Sequence, residues 1–351
     1  GNLDQRMQES VENNYEFILG VNPGDIGKLG INGFVGGNVD WRSVSQSITS
    51  GQAFIVPGVY TYNNLATKLA ETGLTQRRTN SVFGSLELSY NKYLYLTLTG
   101  RNDWFSTLPE ESNNLLYPSA SLSFVFSDAL KLPSWISYGK FRASSAQVSG
   151  DTDPYQLDLS YSLDPMQYGS LPLQAIGTSN IPNKDLKPLL STDYEIGLEM
   201  GFVHDRIGFD VDYYNKNIRN DIVTTAVSNT TGYASAVFNV GKLADNGIEA
   251  LLRATPVKVK NFSWDLTVTF STLNNRVISL GSGTKGANII LVRSKSGNAS
   301  VQLEEGKRYG GIYGYTYKRD SLGRKIYSSQ GLPEYNATQT LIGHSLYNKM
   351  M

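Results

Sequence analysis

The cleanest alternation of apolar and polar positions lies within residues 183–217. From 194 to 202 the apolar set is Tyr194, Ile196, Leu198, Met200 and Phe202. Between and beside them stand Asp193, Glu195, Gly197, Glu199 and Gly201. After Val203, His204, Asp205 and Arg206 the alternation resumes, with Ile207, Phe209, Val211 and Tyr213 set against Gly208, Asp210, Asp212 and Tyr214. A period of two is the strand period. The stretch therefore predicts a β-hairpin with one apolar face and one acidic face. A soluble sandwich would solvate the acidic face outside, whereas a membrane barrel would turn it toward a wet lumen.

The same period predicts strands at 14–20, 28–40, 77–90, 93–102, 117–127, 134–147, 247–255 and 262–271, and a last one at 310–318. The connections between them alternate in length. Those at 21–27, 91–92, 128–133, 203–206 and 256–261 read as short turns. Those at 41–76, 103–116, 148–190, 217–238 and 281–303 read as long loops. In an up-and-down meander every second connection lies at the same end, so this parity places short turns at one end and long loops at the other. Outer-membrane barrels carry that asymmetry, whereas sandwiches are mostly Greek keys and do not sort loops this way. Strands of roughly ten residues also suit a tilted bilayer crossing. The expected fold is all-β, an antiparallel up-and-down transmembrane β-barrel. At about eleven strands it is partial and leaves edges to be covered.

Composition removes several alternatives. The 351 residues carry 31 Lys and Arg against 31 Asp and Glu, and so offer no basic surplus for nucleic acid. There is no cysteine, so disulfides and thiolate metal sites are excluded while the compartment stays open. No apolar run approaches the roughly 18–20 residues of a membrane helix. The opening GNLDQRMQES has no charged region followed by an apolar core, so it is read as lacking a leader and as starting a processed or excerpted piece.

Candidate chemistry is sparse. The pattern Gly281, Gly283 and Gly286 has dinucleotide-loop spacing, but a strand-like run follows where that motif needs a helix, so it is read as a loop. The two histidines, His204 and His344, are isolated and support no catalytic constellation. The chain is therefore read as a non-enzyme with no catalytic residue, metal site or cofactor. The charged residues expected to face the lumen are Glu87, Arg101, Asp193, Glu195, Glu199, Asp210, Asp212, Glu249, Arg253 and Asp265, solvated or paired among themselves. Trp104, Tyr155, Tyr161 and Tyr168 fall in the expected long loops. There they could stack on a substrate or pack the loops together.

Five stretches, taken in order, resemble the SusC/RagA family of TonB-dependent outer-membrane transporters of Bacteroidetes. They are YGKFRASSAQVSG at 138–150, NKDLKP at 183–188 with TDYEIGLE at 192–199, DYYNK at 212–216, NVG and NGIE at 239–249, and EG with GIYGY at 305–315. The resemblance implies a 22-stranded barrel whose plug, TonB box and regulatory-like domain lie upstream of the matched region. It also implies a SusD-like surface lipoprotein as lid, energy from the TonB complex, outer-membrane lipid around the wall, and oligosaccharide or peptide as substrate. Two features depart from the family pattern: RNDWF at 101–105 replaces its usual run there, and its closing strands do not follow residue 343. A siderophore or cobalamin receptor is the alternative within the same architecture. A passive porin or a surface adhesin is the alternative outside it.

Overall fold

In the computed structural model, which describes residues 1–169, 171–281 and 288–344, the alternating stretches pair side by side in chain order. The wall begins with β1 (Asn2–Ile26), β2 (Leu29–Phe54), β3 (Leu65–Tyr90), β4 (Leu94–Phe105), β5 (Asn114–Phe124) and β6 (Ile136–Gly150). The connection after β6 holds β7 (Tyr161–Tyr168), β8 (Leu171–Ile176) and β9 (Asn180–Ile181). The wall resumes with β10 (Leu189–Phe202), β11 (Ile207–Ala226), β12 (Ser235–Val259), β13 (Phe262–Ser271) and β14 (Asn274–Ser279). The sheet order is β1-β2-β3-β4-β5-β6-β10-β11-β12-β13, with β14 pairing β12 beyond β13 and β9 adding to β12 in parallel. β1 and β13 stand at its two edges. β7 and β8 form a separate hairpin, and β15 (Ile289–Arg293), β16 (Ala299–Leu303), β17 (Gly311–Gly314) and β18 (Thr340–His344) form a second antiparallel sheet.

Register carries the two faces across the wall. Leu198 lies opposite Val211, Val211 opposite Ala250, and Ala250 opposite Phe270. These residues share the outer face with Phe17, Val35 and Leu98. Its side chains are bare: Phe17 is 70%, Ile196 54% and Phe270 60% exposed. Apolar area left in water costs about 25 cal/mol per Å2, and soluble proteins do not carry so large a patch. Lipid is the solvent that fits it. At the short-turn end aromatic rings line up along the wall. Tyr90 meets Tyr93 at 5.7 Å, Tyr93 meets Phe124 at 6.1 Å, and Phe202 lies between Trp135 at 5.6 Å and Phe209 at 5.8 Å. Such a girdle is where a barrel meets the headgroups.

Two of the expected loops are largely strand. Most of 41–76 belongs to β2 and β3, leaving a tip at 55–64. The 217–238 loop shrinks to 227–234, and the 281–303 loop contains β15 and β16. The 103–116 connection shortens to 106–113, and the 148–190 region contains β7, β8 and β9. The turn at 256–261 is reduced to Lys260 and Asn261 because β12 runs on past a register shift between Ala254 and Val257. The short connection at 128–133 widens to 125–135 and includes a helical turn, α1 (Phe126–Ala129). The last expected strand, 310–318, keeps only Gly311–Gly314 and lies outside the wall. Period-two alternation does not mark these arms, for a physical reason. At 25 or 26 residues, β1, β2 and β3 exceed the roughly 9–11 needed to cross lipid. Their surplus stands in water on both faces, so no apolar alternation marks it.

The main buried cluster sits at this long-armed end, not within the lipid-facing band. Leu189, Ile218, Leu243 and Val277 pack with Leu280, Ile289 and Leu303. The face assignment yields a test in the full-length protein refolded into vesicles. Leu198→Arg should cost about 2–4 kcal/mol of stability, and Thr269→Arg, on the opposite face, about 1 kcal/mol or less. A larger loss for Thr269→Arg would mean that the faces are inverted.

Candidate functional site

The inner face of the wall carries the polar chemistry, and Arg142 on β6 is its hub. Its Nη2 lies 2.7 Å from Asp210 Oδ1 and 2.7 Å from Asp212 Oδ1, both on β11, and its Nη1 lies 3.5 Å from Glu199 Oε2 on β10. Arg253 on β12 reaches Glu199 from the other side at 3.6 Å. The contact between β6 and β11 crosses an intervening strand. Register explains it: Gly197 lies opposite both Arg142 and Asp212. A Cβ at Gly197 would fall inside van der Waals contact with Asp212 Oδ1 and Arg142 Nη2. The glycine therefore serves as the opening through which the guanidinium passes. Gly247 works the same way, letting Tyr214 donate from β11 across β12 to the Thr272 carbonyl at 3.2 Å.

A second network lies on β3, β4 and β5. Arg101 donates to Asp103 at 2.8 Å, to Tyr117 Oη at 3.0 Å and to Ser81 Oγ at 2.8 Å, and Tyr117 donates to Asp103. The inner face between these networks is lined by hydroxyls: Thr97 is opposite Ser121, Thr99 opposite Ser119, and Ser121 opposite Ser144.

By register, the ten charges expected from the sequence to face a lumen share the wall face of Arg142, but they are not gathered at one point. Glu199, Asp210, Asp212 and Arg253 join the Arg142 cluster. Asp265 accepts from Thr255 at 2.7 Å and from Ser263 at 3.1 Å, and Asp193 accepts from Ser191 at 3.1 Å. Glu249, with Asp210 and Asp212, borders a recess of about 340 Å3. Glu87 stands opposite Asn32 and Thr97. Arg101, expected to pair with these acids, pairs with Asp103 instead. Arg142 is the residue that sequence reasoning missed. Its strand was recognised, but the three-strand register that brings it to Asp212 is not written in local spacing. Among the described residues no three histidine or carboxylate side chains gather where they could hold a metal ion.

The aromatic candidates do not form one site. Trp104 lies on β4 itself, on the outer face it shares with Leu94, Leu96 and Leu98, so it faces away from the lumen. The Tyr155 hydroxyl accepts from the Gln76 amide at 3.1 Å and so ties its connection to β3. Tyr161 and Tyr168 stand exposed at opposite ends of β7. His204 occupies a tight turn in which Val203, His204 and Asp205 all have positive φ, and His344 ends β18. The glycine pattern at 281–286 lies, after Gly281, outside the described residues.

The family model described as TonB dependent receptor-like, beta-barrel matches residues 2–343. TonB-dependent receptor P26 of Formosa agariphila is 27% identical over 259 residues, 70% of this chain and 26% of that protein. TonB-dependent receptor SusC of Bacteroides thetaiotaomicron is 27% identical over 262 residues, again 70% of this chain and 26% of that protein. The chain thus spans about a quarter of the length of these curated relatives. Among solved structures, the RagAB peptide importer in its closed-closed state superposes with a TM-score of 0.78 at 15% identity, over 97% of this chain and 38% of that chain.

The hub makes a double-mutant prediction. Arg142→Met leaves Glu199, Asp210 and Asp212 without their shared cation and should destabilise the full-length protein by about 1–3 kcal/mol in urea titrations. Gly197→Ala should cost a similar amount in the native background and much less when Arg142 is already Met, because the clash is with the pair itself.

Proposed function

The chain belongs to the TonB-dependent receptor-like β-barrel family, and on that premise we propose that it is the barrel wall of a SusC-like importer that takes up oligosaccharides or peptides. It is a protein of the outer membrane. The observation that carries the proposal is the split between the wall's faces: bare apolar side chains outside, and charges and hydroxyls inside, on strands whose long arms all rise at one end. A wall of that kind encloses a wet path through lipid. The tall arms offer a rim on which a SusD-like surface lipoprotein closes as a lid. Energy reaches the path from the TonB complex acting on a plug supplied by other parts of the full protein. The wall performs no covalent chemistry in this scheme. The fixed Arg142 cluster keeps β6, β10 and β11 in register while a solute and a plug move past them.

The experiment uses the full-length protein in cells lacking the chromosomal copy. Uptake of a labelled oligosaccharide or peptide should return with the protein, stop when TonB is deleted or the proton gradient is collapsed, and accompany co-purification of a surface lipoprotein. Uptake that persists without TonB would make the protein a passive pore and overturn the proposal.

A further inference from the structure

One row of the wall has different surroundings on its two sides. Ser191, Ile218, Leu243 and Val277 lie side by side on β10, β11, β12 and β14. They share the face of Glu195, Asp212 and Glu249, which is the inner one. Leu280, Ile289 and Leu303 pack on Ile218, Leu243 and Val277 from that side, so the sheet of β15–β18 is seated inside the wall at its long-armed end. The chain neighbours of these apolar residues take the other side. They are Arg219 beside Ile218, Lys242 beside Leu243 and Arg276 beside Val277. Counting by twos returns Arg219 to Val211 and Lys242 to Ala250, and Arg276 stands opposite Ala244, so all three belong to the outer set.

Register gathers the three cations. Arg219 is directly opposite Lys242, and Arg276 is opposite Ala244, two residues along from Lys242. Opposite side chains of a ladder start about 5 Å apart and diagonal ones about 7–8 Å. Arg219 and Arg276 are exposed and Lys242 is half-buried. None of the three has an ion-pair partner among the described residues. Like charges placed directly opposite each other destabilise a sheet. From the short-turn girdle up to this cluster, the outer face of β10 to β14 carries no charged residue at all, whereas carboxylates prevail on the inner face of the same strands. Water would accept either sign outside. A facing layer of anions accepts only this one.

Strand geometry places the cluster in such a layer. Phe209 belongs to the short-turn girdle, and Arg219 lies ten residues further along β11. At about 3.3 Å per residue that is roughly 33 Å of strand, or roughly 25 Å of height at a tilt of about 40°. The apolar band of a barrel is about 25 Å tall, so the cluster stands at the opposite edge of the lipid, among the headgroups of the outer leaflet. Tyr194, 53% exposed and opposite Asn215, marks that edge just below it.

We propose that Arg219, Lys242 and Arg276 form a docking patch for phosphorylated headgroups of the outer-leaflet lipid. The two guanidinium groups donate pairwise to phosphate oxygens, and the Lys242 ammonium adds a point charge between them. The bound headgroup relieves the repulsion across β11 and β12 and holds these strands at a fixed height, on the outside of the rows that seat β15–β18. The patch requires only a lipid-facing wall and is independent of the solute that passes within it.

The test uses the full-length protein in neutral detergent, doped with dioleoyl phosphatidic acid or dioleoyl phosphatidylcholine, with bound lipid read by native mass spectrometry. Phosphatidic acid should bind at least about tenfold more tightly than phosphatidylcholine. Arg219→Gln, Lys242→Gln and Arg276→Gln combined should remove that preference without lowering the urea midpoint. Each single variant should weaken phosphatidic acid binding by about threefold or more, which keeps the comparison available if the triple variant does not fold. Lys216→Gln, on the inner face, should leave the preference intact. Equal affinity for the two lipids, or a preference that survives the triple variant, overturns the patch. So does inorganic phosphate that displaces the lipid at equal concentration, since the cations would then hold a free anion and not a headgroup.

Discussion

A backbone amide in lipid has no water to bond, so it must be bonded by its neighbour, and the whole wall follows from that constraint. Each wall strand, β1 to β6 and then β10 to β13, pairs with the next, which leaves side chains only two directions to point. The direction taken by Leu198, Val211 and Phe270 must suit hydrocarbon. The direction taken by Glu199, Asp210 and Thr269 must suit water. Little freedom remains in the membrane-spanning rows, because slipping one strand by a single residue would present its carboxylates to lipid.

Within that frame, register allows contacts that adjacent strands alone cannot make. Arg142 and Asp212 belong to strands that are not neighbours, and the missing side chain of Gly197 opens the space between them. The same device at Gly247 lets Tyr214 bind two strands away. These cross-links lie on the inner face, where lone charges could be solvated anyway. Their consequence is to hold three strands in a shared register, more than to add net stability, since paired charges largely exchange solvation for each other.

Beyond the lipid the rules relax. The long arms of β1, β2 and β3 stand in water on both sides, and their polar sequences pair as strands without an apolar face. At the same end a water-excluding core of Leu189, Ile218, Val277 and Leu303 forms between the wall and the inward sheet, as in a soluble domain. The outer mouth is therefore built by ordinary hydrophobic packing, and the charge on its lipid-facing side can be opposite in sign to that on the inner face of the wall. The net neutrality of the chain conceals this division.

The sequence by itself determined the all-β wall, its inner and outer faces and the ends at which the connections lie, because period-two alternation is local and each residue states its own preference for lipid or water. The hairpin of β10 and β11 could be read nearly residue by residue. The true length of the arms, the role of Arg142, the outward position of Trp104 and the inward seat of β15–β18 came only from the tertiary structure. Arms wet on both faces carry no alternation. A contact spanning two strands depends on two registers at once. The seat joins Leu303 to Leu189, more than a hundred residues apart, through a packing surface that no short window of sequence contains.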